Sequence, residues 1–263
     1  KGYLKKYEGL QSRFPKDLSP SKAFATMLQE AESNGQKTLE LRMRANLDRI
    51  GSRIGSGYNP QTNEFPAASP SVLVWMAEKM LSQNSLNDAV AAMERLVQVF
   101  PNAEGELLFS ANYIIGQVHD KNRDFVDAAG SYDTAITNAP WHPNSNDARL
   151  RKGYALYELG KANKDEEKFL LAQASFGEAR DSDESSMNLK GECSYMMGEC
   201  LKEIRDYDGA SRHFDDTTSR YASSGKWAEK AFDQAISCYE KVGKSNQVDR
   251  LEKRRDDWLR RYQ

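Results

Sequence analysis

The stretch Ser110-Ala111-Asn112-Tyr113-Ile114-Ile115-Gly116 begins a pattern of small and aromatic residues that decides the fold. From Gly116 the pattern continues in steps of 12, 4, 3 and 5 residues, to Ala128, Tyr132, Ala135 and Pro140. The same steps lead from Gly198 to Ala210, Phe214, Thr217 and Ala222. An upstream copy comprises Ala77, Ala89, Met93, Leu96 and Pro101. A pattern that recurs at such fixed spacing indicates stacked structural repeats.

Each copy has a simple physical interpretation as a helix-turn-helix unit. A small residue in the first helix allows a second helix to lie close to it, and the later aromatic residue or methionine packs against that spot. Proline cannot continue a helix and biases the residue before it toward extended conformations, so it ends the unit. The sequence therefore predicts an array of antiparallel helix pairs.

Two further copies depart from this spacing. A fourth begins at Gly153, but its partner residues come seven positions later than in the other copies, at Ala172, Phe176 and Ala179. The additional residues fall in or near the polar run 160–167, which predicts a lengthened turn between the two helices, either solvated or in contact with a partner. A fifth copy over 231–243 leads into a charged final helix whose basic residues alternate with acidic ones. That alternation is typical of a solvated end face rather than a nucleic-acid contact.

These copies divide the chain into three parts. Residues 1–50 predict N-terminal helices that form a partial or degenerate repeat, with a turn at Asn34-Gly35. Residues 51–69 are rich in glycine and proline and predict a loop. Residues 70–263 predict an array of about five repeats, the last of which caps the stack. The chain begins at Lys1 without a methionine, so we expect a fragment or a mature form.

Composition and motifs argue against several classes of function. The 37 basic and 39 acidic side chains give a formal net charge of −2, which offers no electrostatic reason to expect a nucleic-acid partner. No run approaches the roughly 18 apolar residues that a membrane-spanning helix needs. The three histidines stand singly, and no nucleophile or metalloprotease motif occurs. We therefore predict that the chain is not an enzyme and that it has no catalytic residues, metal or cofactor.

The cysteines fit this picture. Cys193, Cys200 and Cys238 form no zinc motif, and as three residues they cannot all pair within one chain. We interpret them as small buried hydrophobic residues, with a Cys200–Cys238 disulfide as the alternative.

Through this repeat the chain resembles the tetratricopeptide-repeat proteins over residues 73–263, and it resembles them more loosely before residue 73. The resemblance implies an all-α fold, a right-handed superhelical solenoid of helix-turn-helix repeats. Long linkers and the runs 197–207 and 220–224 resemble bacterial cell-envelope members, namely the outer-membrane assembly lipoprotein and the Tol–Pal coordinating protein groups. Four residues depart from the family's preferences and leave the packing of their repeats open: Arg149, Lys152, Thr217 and Ile236.

In this family the first helix of each repeat lines the concave face of the superhelix, and the resemblance implies a stripe of partner-binding residues there. Matched onto this chain, the stripe comprises Val74, Glu78, Leu81, Tyr113, Gln117, Asp120, Leu150, Tyr154, Tyr157, Tyr195, Glu199 and Lys202. Its four tyrosines offer apolar plates with hydrogen-bonding tips, which suit an extended or helical peptide. The alternative is that these tyrosines pack against the neighbouring helix. The matched positions do not supply the lysine and asparagine with which chaperone-binding members hold an acidic peptide tail.

The sequence thus predicts a non-enzymatic interaction scaffold that binds a protein or peptide ligand in the concave groove, within a bacterial envelope assembly. A periplasmic or envelope-associated location is favoured over a cytoplasmic one, without insertion into the membrane and without a nucleic-acid partner. Two alternatives stay open: a structural array that self-associates or links domains, and a regulatory region of a larger enzyme.

Overall fold

The computed structural model describes residues 70–262 and scattered positions before them, namely 6–8, 24, 27, 30–31, 34–39, 41–43 and 45–46. Within residues 70–262 the chain forms ten α-helices: α1 (Pro70–Ser82), α2 (Leu86–Val99), α3 (Gly105–Asn122), α4 (Phe125–Asn138), α5 (Ser145–Asn163), α6 (Glu166–Asp181), α7 (Met187–Glu203), α8 (Tyr207–Ser219), α9 (Lys226–Lys241) and α10 (Ser245–Tyr262). A short 3-10 turn over Ala222–Ser224 precedes α9. No strand occurs among the described residues, and the predicted all-α fold class is confirmed.

The chain forms two compact units, residues 1–118 and 119–263. In the first unit, α1 packs against α2, and Phe24 and Met43 are buried in the same core. The predicted turn at Asn34-Gly35 is present, with Gly35 at a φ of 64°. The predicted loop over 51–69 lies outside the described residues. The helical residues buried in this core include Leu73, Met76, Ala77, Met93 and Leu96.

In the second unit, each helix from α4 to α10 packs against the next one along the chain. Only two or three residues join α5 to α6, α7 to α8 and α9 to α10, so the helices of each pair run antiparallel. The first helices of neighbouring pairs, α7 and α9, also touch. The largest fully buried side chains of this unit are Tyr132, Phe176, Phe214, Phe232 and Leu251.

The turns within the pairs share one backbone conformation. Asn84, Arg123, Lys164, Arg205 and Gly243 all have a positive φ, between 54° and 71°. In each turn the next backbone N–H bonds to the carbonyl five residues before it, which satisfies a free carbonyl at the helix end. In two of the turns an aspartate follows and caps the second helix by accepting backbone N–H bonds. One left-handed residue thus reverses the chain within a very short linker.

Close contacts between glycine and phenylalanine join the two helices of a pair. A Cβ atom on Gly198 of α7 would lie 2.7 Å from the Phe214 ring of α8, and one on Gly153 of α5 would lie 2.6 Å from the Phe176 ring of α6. Both rings are fully buried. Any side chain larger than hydrogen would displace the ring, so glycine is required for this close approach. These residues are the small and aromatic positions from which the repeat was predicted.

The predicted lengthened turn over 160–167 is wrong. The helix α5 continues to Asn163 and α6 begins at Glu166, so only Lys164 and Asp165 lie between them. The seven additional residues lengthen the helices instead. Relative to the pair α3 and α4, α5 runs four residues further past its glycine, and α6 begins three residues earlier before its alanine.

A second glycine–phenylalanine contact explains why this polar run is helical. A Cβ atom on Gly160 would lie 2.9 Å from the Phe169 ring. Gly160 follows Gly153 by seven residues and Phe169 precedes Phe176 by seven, so the contact recurs about two turns along both helices. The buried ring stabilises the added helical residues, although most of their other side chains are exposed.

The four residues that depart from the family pattern are accommodated by specific contacts. Lys152 forms an ion pair with Asp133 on α4, with Nζ 2.6 Å from Oδ1. Thr217 is fully buried and donates its hydroxyl to the backbone carbonyl four residues before it. Ile236 packs against the core formed by α8, α9 and α10. Arg149 is held at the start of α5 by hydrogen bonds to two buried side chains.

The charged final helix α10 buries one apolar stripe and exposes its other side. Leu251 and Trp258 lie in the core, and the Trp258 indole N–H donates to the backbone carbonyl of Ala222 at 2.8 Å. On the other side, Arg255 pairs with Asp233 of α9 at 2.9 Å. The basic residues of this helix therefore include members of intramolecular ion pairs, a detail that the predicted solvated end face did not include.

The three cysteines are buried and free. Burial raises the pKa of the Cys193 thiol to about 12, so this thiol is not ionised at neutral pH. These observations agree with the interpretation of the cysteines as small core residues and not with a Cys200–Cys238 disulfide. No helix of the described residues has the length and apolar character that crossing a membrane requires.

The left-handed turn residues generate a first prediction about stability. Arg205→Gly should raise the free energy of unfolding by about 0.5–1 kcal/mol. The left-handed conformation costs a residue with a Cβ atom about 1–2 kcal/mol, and glycine avoids that cost. Glycine also loses more chain entropy on folding, which offsets part of the gain. Gly243→Ala is the reverse change at a φ of 71° and should lower stability by a similar amount. Thermal unfolding followed by circular dichroism measures both. Unchanged midpoints in both variants would contradict the role assigned to these turns.

The close glycine contacts generate a second prediction. Gly153→Ala should destabilise the protein by about 1–3 kcal/mol, because the new methyl group must displace the buried Phe176 ring. Gly130→Ala is the matched control: it lies in α4, nothing approaches its Cβ position within 4 Å, and alanine should stabilise the helix by up to about 1 kcal/mol. Denaturant unfolding should therefore give a lower free energy of unfolding for Gly153→Ala and a higher one for Gly130→Ala. A shift of the same sign in both would show that the contact is unimportant.

Candidate functional site

The predicted partner-binding stripe begins on α1, in the first unit. There Glu78 is exposed, whereas Val74 belongs to the buried core and Leu81 packs against it. Val74 is only 9% exposed, so it has little surface to offer a partner. On α1 the accessible part of the stripe is therefore Glu78 and part of Leu81.

The helix α3 carries the next three residues of the stripe. In the first unit, Tyr113 stacks on Phe109 of the same helix, with ring centroids 5.6 Å apart, and Gln117 is half-buried. In the second unit, Asp120 accepts a hydrogen bond from Tyr132 Oη of α4 at 2.7 Å. Burial raises the pKa of Asp120, while the bond from Tyr132 and the nearby charge of Arg151 oppose that rise.

Hydrogen bonds link the stripe on α5 to α7. The Tyr154 hydroxyl donates to Glu192 Oε1 at 2.7 Å, and the Tyr157 hydroxyl donates to Glu203 Oε1 at 3.3 Å. Leu150, on the same side of α5, is buried at 8% exposure. The two tyrosines therefore bridge the first helices of neighbouring pairs through their polar ends.

A second set of bonds links α7 to α9. Lys202 Nζ lies 2.8 Å from both carboxylate oxygens of Glu199 and donates to Gln234 Oε1 of α9 at 2.9 Å. The structure thus brings together most of the predicted stripe in the second unit. We call this surface the first-helix face; it comprises Tyr154, Tyr157, Glu192, Tyr195, Glu199, Lys202, Glu203 and Gln234.

The tyrosine rings of this face pack on the aromatic residues of the second helices. Tyr154 meets Phe176 edge-on with centroids 5.3 Å apart, and Tyr157 meets Phe169 at 5.6 Å. Tyr195 contacts the Phe214 ring of α8 at 5.3 Å. The alternative in which the tyrosines pack against the neighbouring helix is therefore correct for the rings of Tyr154, Tyr157 and Tyr195. The hydroxyls of Tyr154 and Tyr157, in contrast, reach carboxylates of the first-helix face.

Electrostatics keep these hydroxyl groups as donors. Burial is the main cause that raises the pKa of Tyr154, Tyr157 and Tyr195 far above the ordinary value. The adjacent carboxylates raise these pKa values further, because a negative charge disfavours a phenolate beside it. The face therefore combines protonated tyrosines with carboxylates and one ammonium group. It can hold polar and apolar parts of a polypeptide, and it presents no activated nucleophile.

Sequence reasoning missed three residues of this face: Glu192, Glu203 and Gln234. A signal for the first two was available, because residues three or four positions apart on a helix share a side. Glu192 precedes Tyr195 by three positions, and Glu203 follows Glu199 by four. In the part of the chain that the structure describes, no group of three histidine, cysteine or acidic side chains could hold a metal ion.

Comparison with known proteins agrees with this fold. The family model described as tetratricopeptide repeat matches residues 80–143 and 113–185. No curated protein matches the sequence significantly. The crystal structure of YrrB, a tetratricopeptide-repeat protein with an unusual peptide-binding site, is similar with a TM-score of 0.55 and 19% identity, over 72% of this chain and 86% of that one.

Two further structures show the same relationship. The MamA protein matches with a TM-score of 0.56 and 14% identity, over 72% of this chain and 91% of that one. A tetratricopeptide repeat protein from Parabacteroides merdae matches with a TM-score of 0.50 and 14% identity, over 85% of this chain and 77% of that one. At these identities the likeness establishes the fold. The matched model and the recurring helix pairs agree with it: residues 80–185 match tetratricopeptide repeats, and the described helices have the fold of stacked tetratricopeptide repeats.

Proposed function

We propose that this chain is a non-enzymatic scaffold that binds a peptide or an extended protein segment along the concave groove lined by its first helices. The observation that carries the proposal is the continuity of the first-helix face, in which side-chain hydrogen bonds join α5 to α7 and α7 to α9. A continuous strip over three helices suits a linear ligand better than a small molecule.

The chemistry of the face supports a polypeptide ligand. Tyr154 and Tyr195 are half-buried on phenylalanine rings, so little side-chain entropy remains to be lost on binding. The carboxylates and Lys202 provide acceptors and donors for the backbone and polar side chains of a guest. The similar protein YrrB is described as having a peptide-binding site, which is consistent with a peptide here.

The envelope location is part of the same proposal. It is supported by the long linkers and by the runs 197–207 and 220–224, which resemble bacterial cell-envelope members. Fractionation of the organism that encodes the chain should recover it with periplasmic or membrane-associated material. Recovery in the cytoplasmic fraction alone would contradict this part of the proposal and leave the binding role to be tested separately.

The groove makes a direct prediction about affinity. A peptide selected on the wild-type chain from a displayed random library, then synthesised and titrated by calorimetry, should bind Tyr154→Ala/Tyr195→Ala about tenfold more weakly or worse. Because these tyrosines also pack on core rings, a second variant is needed. Glu199→Ala/Lys202→Ala leaves the aromatic packing intact and should weaken the same peptide about threefold or more. Thermal unfolding verifies that both variants are folded.

The control variant is Leu170→Ala/Leu171→Ala, which removes two leucines that are exposed on the second helix α6. It should leave the affinity for the selected peptide unchanged. An affinity that depends on these leucines and not on the first-helix face would overturn the groove proposal. Light scattering addresses the self-association alternative: a stable dimer that is lost in the face variants would assign the face to a second copy of the chain.

A further inference from the structure

A second concave surface lies among the loops that connect consecutive helix pairs in the second unit. It is a cavity of about 560 Å³ between the loop before α5, the first turns of α5, the end of α6 and the loop that follows α6. Its volume is in the range of sites that hold small ligands or single side chains. None of the residues of the first-helix face lines it.

A hydrogen-bond network forms the floor of this cavity. Arg149 Nη1 donates to Ser145 Oγ and to Asn146 Oδ1, each at 3.1 Å, and Asn146 Nδ2 donates to Ser182 Oγ at 2.9 Å. Ser145 and Asn146 are buried. The network therefore ties the loop after α6 to the start of α5, and both sides of the cavity are fixed to helix ends.

The loop after α6 is also held at its other end. The buried Ser185 hydroxyl donates to the backbone carbonyl of Ala179 at 2.5 Å, and Ser186 caps α7 by accepting from the Leu189 N–H. Between these anchors lie Asp183 and Glu184, both exposed. Their backbone is thus held in place while their carboxylates face solvent.

An exposed tryptophan also lines the cavity. Trp141 is 67% exposed, whereas Trp227 and Trp258 are each 7% exposed. Leaving a large aromatic ring in water forgoes the free energy of burial, so an exposed ring in a concave site is a common feature of binding surfaces. The face of an indole ring attracts cations through its quadrupole, and guanidinium groups most often.

The charge of the lining selects a cationic occupant. Four carboxylates and one cation line the cavity: Glu178, Asp181, Asp183, Glu184 and Arg149. Arg149 Nε lies 3.6 Å from Glu178. Asp181 is paired with Arg180, whose guanidinium holds the pKa of that carboxyl below its usual range. Asp183 and Glu184 have no ion-pair partner among the described residues.

The spread of these carboxylates argues for an extended cation. In the described part of the chain no three acidic, histidine or cysteine groups converge closely enough to hold a metal ion. Arginine combines a planar face that stacks on an aromatic ring with a donor fork that matches carboxylates. We propose that the cavity lined by Trp141, Asp183 and Glu184 binds an arginine-containing segment of a partner protein. This site is separate from the first-helix face, so the two proposals stand or fall independently.

An arginine peptide tests the proposal. The probe is an acetylated and amidated peptide that alternates arginine with glycine, titrated into ¹⁵N-labelled protein at low salt while the indole N–H signal of Trp141 is followed. Trp141→Phe assigns that signal by its loss. We expect a saturable shift of this signal, and an affinity about fivefold to tenfold lower in Asp183→Asn/Glu184→Gln. The Trp141 variants lack this signal, so their affinities are read from the backbone amide signals of Asp183 and Glu184. Trp141→Ala should lose more affinity than Trp141→Phe, because phenylalanine keeps a weaker aromatic face.

Matched controls separate specific binding from general charge attraction. Glu252→Gln/Asp256→Asn removes the same charge from the exposed side of α10 and should leave the affinity unchanged. A peptide with citrulline in place of arginine keeps the shape and loses the charge, and it should not bind. Equal binding of the two peptides, or equal weakening by the two charge-removal variants, would overturn the proposal. A shift of the Trp141 signal with calcium chloride but not with the arginine peptide would also overturn it, in favour of a metal ion.

Discussion

The close approach of two helices at a glycine, with a phenylalanine ring in the gap, is the constraint on which the fold depends. At Gly153, Gly160 and Gly198 a side chain would lie within 3 Å of the partner ring, so the distance between the helices is set by ring thickness. Burying a phenylalanine contributes about 1.5–3 kcal/mol. At these three positions the ring occupies the space that a Cβ atom on the first helix would take. The pairs α5–α6 and α7–α8 are therefore each held at a defined spacing by contacts within the pair.

The same rings determine which parts of the first helices reach the surface. The rings of Tyr154 and Tyr157 on the first helix meet a phenylalanine of the second helix edge-on, and their hydroxyl ends point to the next pair. Tyr154 and Tyr157 use that end to reach carboxylates on α7. The same tyrosines thus contribute their rings to the core of one pair and their hydroxyl groups to the polar surface between pairs.

Much of the fold could be predicted from the sequence, because the residues that contact each other within a helix pair recur at a fixed spacing. The positions of Gly153, Phe176, Gly198 and Phe214 in the repeat identified the contacts that the structure contains. The lengthened turn was predicted wrongly because polarity alone does not distinguish a loop from an exposed helix turn. The informative signal there was a second glycine and a second phenylalanine, each seven residues from the first. The tyrosine hydroxyls bond to residues of the next pair, so spacing along one helix indicates the side on which Glu192 and Glu203 lie but not which tyrosine each of them meets. The cavity beside Trp141 includes the loops before α5 and after α6, which the repeat spacing does not describe.

The paired contacts at Gly153–Phe176 and Gly160–Phe169 have a consequence for how such a chain can evolve. In an antiparallel hairpin, insertions must keep each glycine facing its ring, and residues return to the same side of a helix after three or four positions and again, more closely, after seven. Gains or losses of one or two residues near the tip would rotate one arm and place a side chain against the aromatic plane. We therefore expect the length of such a helix pair to change by whole helical turns, with three or four residues added to each helix. Intermediate lengths would not preserve the contacts.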